Sequence, residues 1–123
     1  MPADDNPHAA TLAAHRAVLG AAGGDQLSHR PWQQPGQPAS DGDLVRLAAW
    51  KAAISDDPQV LTAGLGLLGA ARAELDQVEA ALLFAARAAG VTFQQIGAAL
   101  NLGSGQAAQQ RMSRVLARLD DDS

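Results

Sequence analysis

The feature that most constrains this chain is the stretch from Val91 to Met112, which divides into two short amphipathic segments around Asn101-Leu102-Gly103. Thr92 is suited to cap a first helix, since its hydroxyl can accept from a backbone N–H of the first turn. Ile96 and Leu100 then fall four apart on one face, and Gly97 leaves room for a second helix to come close. Past the break, Ser104 is suited to cap a helix in which Ala108, Met112, Val115, Leu116 and Leu119 recur at spacings of three and four. That stripe faces inward and leaves Gln106, Gln109, Gln110, Ser113 and Arg114 for the outer face.

A helix that enters the major groove of DNA needs short or amide side chains to reach base edges, flanked by cations for phosphates. Gln106, Gln109 and Gln110 meet the first need, because a glutamine amide pairs bidentately with adenine. Arg111, Arg114 and Arg118, again at spacings of three and four, meet the second. Thr92, Gln94, Ser104 and Ser113 complete the expected contacts to double-stranded DNA. From Ala80 to Leu119 there is no Asp or Glu, while Arg87, Arg111, Arg114 and Arg118 give this segment a formal charge of about +4 by direct count. The whole chain has a net charge of -4. Its acids are concentrated before Ala80 and in Asp120-Asp121-Asp122, and electrostatic attraction is local, being screened beyond about 8 Å at physiological salt.

The run Ala85-Ala86-Arg87-Ala88-Ala89-Gly90, the pair Ile96-Gly97, and Leu100-Asn101-Leu102-Gly103-Ser104 followed by Gln106-Ala107-Ala108 together resemble the helix-turn-helix of small actinobacterial DNA-binding regulators. The same residues are similar to sigma-factor region 4. The pattern of that group is an Ala-Arg-Ala-Ala-Gly helix end, an Ile-Gly or Ile-Ala pair, then Leu-Gly-Leu-Gly-Ser-Arg-Gln-Ala-Ala. Asn101 stands where it has a turn glycine and Gly105 where it has an arginine. The resemblance covers residues 72–119 and implies a helix-turn-helix fold, sequence-specific DNA binding and a role in regulating transcription.

The rest of the chain reads as helix. Its 123 residues hold no cysteine and no tyrosine, and aromatics make up 3%, so the core must come from Leu, Ala, Val and Ile on closely packed helices. The periodicity predicts an all-α helical bundle ending in a helix-turn-helix, with helices near 8–22, 42–55, 58–89, 92–100 and 104–119 and no strand. Residues 1–7 are expected to be disordered. Residues 23–40, with Gly23-Gly24, Pro31, Pro35-Gly36 and Pro38, are expected to be a loop that docks through Trp32. The expected division is therefore 1–40, an N-terminal helix and Pro/Gly-rich linker, and 41–123, a helical core that contains the reading unit. Asp41 or Asp43 is expected to cap the second helix, and Asp57 with Pro58 to open the third. Trp50 and Ile54 are available for burial, and Arg72 is spaced to pair with Asp76. Gly64, Gly66 and Gly69 weaken the 58–89 helix and make a break there possible. Leu61, Leu68, Leu75 and Leu82 repeat every seven residues, and this face, with the preceding helices, is expected to hold a homodimer.

No set of side chains converges on catalysis, and the expectation is a non-enzyme without cofactor. His8, His15 and His29 lack the partners that a metal site needs. The glycines of Gly64-Leu65-Gly66-Leu67-Leu68-Gly69 lack the preceding strand of a dinucleotide loop. No apolar stretch approaches the ~20 residues of a membrane span. A cytoplasmic regulator of transcription is the resulting expectation. The alternative is a module of the same shape that binds a protein partner rather than DNA.

Overall fold

Every regular element is a helix in the computed structural model, which describes residues 5–122; no strand occurs among them. Helix α1 spans Asp5–Ala21, and a 3-10 turn, Gly24–Gln26, follows it. Then come α2, Asp41–Ala52; α3, Pro58–Gly66; α4, Leu68–Ala88; α5, Phe93–Ala99; and α6, Gly105–Asp122. None of these is long and apolar enough to cross a membrane. Part of the segment expected to be disordered is ordered: α1 begins at Asp5, with Pro7 in its first turn, where a proline costs no helical hydrogen bond. Residues 1–4 lie outside the described part.

Of the two expected starts, one is as expected and one differs. Asp57 caps α3 with Pro58 in first position, its carboxylate accepting from Gln59 N–H at 2.9 Å. At α2, however, the cap is Ser40, whose hydroxyl accepts from Asp43 N–H at 3.1 Å. Asp41 and Asp43 lie in the first turn, one and three residues past the cap, favourable for acids near a helix N-terminus. There they receive the guanidinium forks of Arg16, at 2.7 and 3.0 Å, and of Arg30, at 3.3 and 3.4 Å.

The expected 58–89 helix is interrupted at Leu67, the fully buried residue between α3 and α4. Close packing explains the glycines around it. A β-carbon on Gly64 would lie 2.6 Å from that of Ala48, and one on Gly66 would overlap the His15 ring. Gly64 and Gly66 thus let α3 press against α2 and α1, while lowering the helical propensity that would have carried the chain through.

The chain divides into two compact units, one ending at Arg72 and the other starting at Ala73. The first is organised on Leu19, Leu44, Ala48, Val60, Ala63 and Leu67, with Leu12, Val18 and Val45 packed around them. The second is organised on Leu83, Ile96 and Ala108, with Ala86, Val91, Phe93, Leu102 and Met112 against them. Val115 is fully buried as well.

Three large side chains expected to be buried are not. Trp32 is 79% exposed, and Trp50 and Ile54 also face solvent. The loop that carries Trp32 needs no apolar anchor, because its backbone is tied by its own side chains. Arg30 N–H donates to Gln33 Oε1 at 2.6 Å, Gln33 Nε2 to the Pro38 carbonyl at 2.9 Å, and Gln34 N–H to Gln37 Oε1 at 2.8 Å.

These contacts make the glycines separable by experiment. Gly64→Ala, meeting the rigid Ala48 methyl, is expected to lose roughly 1–3 kcal/mol of stability. Gly69→Ala, with nothing within 4 Å of the new methyl, is expected to gain up to about 1 kcal/mol. Urea unfolding followed by circular dichroism measures both, and equal effects would mean that the α2–α3 approach is looser than described.

Candidate nucleic-acid interface

The second unit is built by two turns of the same kind. After α4, Val91 N–H donates to the Ala86 carbonyl at 2.9 Å and Gly90 N–H to Arg87 at 3.1 Å, with Gly90 at φ 91°. After α5, Leu102 N–H donates to Gly97 at 2.7 Å and Asn101 N–H to Ala98 at 3.1 Å, with Asn101 at φ 59°. Both are the left-handed helix stop in which two backbone donors satisfy the last carbonyls. Asparagine replaces glycine at the second stop because it tolerates this region better than other side chains. Arg87 stitches the first turn from outside, donating to the Val91 carbonyl at 2.9 Å with its guanidinium 4.2 Å over the Phe93 ring.

The helix starts are satisfied by side chains expected to contact DNA. Thr92 and Gln95 form a reciprocal box: Thr92 Oγ1 accepts from Gln95 N–H at 3.1 Å, and Gln95 Oε1 accepts from Thr92 N–H at 2.8 Å. Ser104 Oγ accepts from Ala107 N–H at 3.1 Å and so caps α6. Gly97 lies where α5 meets this cap, since a β-carbon there would be 2.6 Å from the Ser104 carbonyl oxygen. Gly105 has a similar reason, because a β-carbon on it would lie 3.0 Å from the Gln94 nitrogen. An arginine at 105 would have to push the two helix starts apart.

On α6, Ala108 and Val115 are fully buried and Met112, Leu116 and Leu119 half-buried, so the inward stripe lies as its spacing predicts. Gln106, Gln109, Gln110, Ser113 and Arg114 are brought together on the exposed side. Ser113 Oγ donates to the Gln109 carbonyl at 3.2 Å. Gln94, on α5, is exposed too.

Arg111 and Arg118 are placed differently from the other site residues. Arg111 forms a two-pronged pair with Glu79 of α4, at 2.8 and 3.0 Å, and Arg118 a second with Asp76, at 3.2 Å for each prong. Asp76 therefore pairs across the unit and not with Arg72, as spacing alone suggested. The hydrogen bonds and charge of Glu79 push the Arg111 guanidinium further above its usual range. Because that shift raises a base, its contribution to stability is complete below the ordinary arginine range, and so across neutral pH. Among the described residues of the second unit, Arg87 and Arg114 have no carboxylate partner, and Arg87 is held by the Val91 carbonyl and the Phe93 ring.

Sequence reasoning missed the pairing of Asp76 and Glu79 with α6. The charge count began at Ala80, one residue past Glu79, and treated a helix boundary as an electrostatic one. A signal was present: two acids three apart on α4, and two arginines seven apart on α6, each define one helical face. Counted over the whole unit from Ala73, four arginines stand against six acids. Comparison with protein-family models, with curated proteins and with solved structures finds no match to the chain.

Two substitutions test this geometry. Asn101→Val is expected to cost about 1–2 kcal/mol for placing a branched side chain in the left-handed region, whereas Asn101→Gly should be neutral or stabilising. Arg111→Ala should cost roughly 1 kcal/mol, the upper range for a half-exposed pair, since the two-pronged geometry is good but solvent screens it. Thermal unfolding of the full chain would show both.

Proposed function

We propose that the second unit is a helix-turn-helix that reads double-stranded DNA through the major groove, and that the protein is a cytoplasmic regulator of transcription. One observation carries the reading: Gln106, Gln109, Gln110, Ser113 and Arg114 share the exposed side of a helix that follows a tightly closed turn. The amides offer paired donor and acceptor groups at base-edge spacing, and Arg114 offers charge to a phosphate. The backbone of α5 supports the start of α6 from behind through Gly97 and Gly105. Thr92 and Ser104 use their hydroxyls as caps, so their contacts to DNA would come from the remaining lone pairs and adjacent N–H groups. Arg111 and Arg118 hold α6 against α4 and fix which side of α6 faces out. They reach phosphates only by leaving Glu79 and Asp76.

The electrostatic share of binding is small on this reading, with one unpaired arginine at the face. Affinity should therefore depend weakly on salt and strongly on sequence. A protein partner in place of DNA is favoured by a separate observation, the excess of acids over arginines in this unit.

Genomic footprinting of the tagged protein would find the site, and titration at several salt concentrations would assign the residues. Arg114→Ala should weaken binding to all sequences and flatten the salt dependence by about one counterion, while Arg111→Ala and Arg118→Ala should change the slope less. Gln109→Ala or Gln110→Ala should cost roughly 1–3 kcal/mol of preference for the specific site and leave non-specific binding nearly intact. An intact protein with no DNA affinity tighter than about 10⁻⁴ M would transfer this face to a protein partner.

A further inference from the structure

α4 presents to solvent a row of apolar side chains. From Leu75 to Ala88 its exposed residues are Leu75, Gln77, Val78, Ala81, Leu82, Phe84, Ala85, Arg87 and Ala88, and Arg87 is engaged by Phe93 and the Val91 carbonyl. Leu75, Val78, Leu82 and Ala85 follow one another at spacings of three and four and so lie in one row, with Ala81 and Ala88 beside it. The large members are far from covered: Leu75 is 56% exposed, Val78 49% and Leu82 65%. Of the acids of α4, Asp76 and Glu79 are turned toward α6, and Glu74, half-buried, lies one turn before Val78.

We infer that this face is covered by the same face of a second copy, with the two α4 helices antiparallel about a two-fold axis near Leu82. Size supports self-pairing. Along the row the large side chains, Leu75 and Val78, come first and the small ones, Ala85 and Ala88, come last. Antiparallel pairing sets the large half of one helix against the small half of the other, and the small residues let the axes approach closely. Parallel pairing would oppose large to large and leave a gap at the alanines. Charge permits it, because antiparallel pairing about Leu82 keeps the two copies of Glu74, at the N-terminal end of the row, at opposite ends of the contact. Area is sufficient for a modest dimer: each copy offers on the order of 500 Å² of apolar surface, so a pair removes on the order of 1,000 Å² from water, the lower limit of specific interfaces. The contact lies within the second unit and leaves the exposed side of α6 free. It deepens the DNA-binding reading by giving two copies of α6 a two-fold relation, as a palindromic site requires.

Sedimentation equilibrium of the full chain over a dilution series tests it. The expected result is a mass tending to twice that of the chain as concentration rises. Leu82→Glu should give a monomer with unchanged circular dichroism, since residue 82 is exposed within its own unit. Orientation is read by disulfides, as the chain has no cysteine of its own. A mixture of Leu75→Cys and Ala88→Cys proteins should cross-link to each other on mild oxidation, while Leu75→Cys alone should not. A wild-type monomer throughout the series, a Leu82→Glu dimer, or self-linking of Leu75→Cys would overturn the proposal. The DNA titration is independent of these outcomes. A monomer that still binds a specific site refutes the dimer alone, and a dimer without DNA affinity refutes the regulator alone.

Discussion

Shortage of bulk governs this chain. With two phenylalanines, no tyrosine, and both tryptophans at the surface, its interiors are filled by leucine, valine and alanine. Helices must then approach closely if few voids are to remain, and dispersion falls steeply across even a small gap. The glycines and alanines at the contacts meet that demand. Gly64 and Gly66 bring α3 onto its neighbours, and Gly97 and Gly105 bring the start of α6 onto α5. The buried leucines, valines and alanines of each unit are thereby brought together by close approach at a few glycines.

Within the second unit this close fit is joined by a charged bracket. Arg111 and Arg118 lie seven residues apart on α6 and clasp Glu79 and Asp76, three apart on α4. Half-exposed pairs of this sort add modest stability, but their two-pronged geometry restricts rotation of one helix against another. The rotation of α6 about its own axis decides which residues face out. Arginines spaced along one helix, which on spacing alone suggest a ligand, can therefore have a structural use.

Much of this was legible in the sequence. Thr92, Asp57 with Pro58, and Ser104 announced three helix starts because a cap is decided by neighbours within a few residues. The inward row of α6 was equally local, as was the left-handed stop at Asn101. What could not be read depended on partners distant in the chain. Whether Gly64 and Gly66 would break a helix or merely line it depends on Ala48 and His15. The pairs to Asp76 and Glu79 span 42 and 32 residues, beyond any local rule. Trp32 looked like an anchor because loops with one large apolar group usually use it, but Gln33, Gln34 and Gln37 tie this loop through its own backbone. The exposed amides of α6 followed from spacing alone, whereas their use depends on what meets them.

The position of the tryptophans has an optical consequence. Trp32 and Trp50 both belong to the first unit and both are open to water, while the second unit, with Phe84 and Phe93 as its aromatic residues, has neither tryptophan nor tyrosine. Intrinsic emission excited at the red edge of protein absorption thus comes wholly from one half of the chain. The half that carries α6 is spectroscopically dark, so a tryptophan placed at one of its exposed positions would report on that unit against no native background within it.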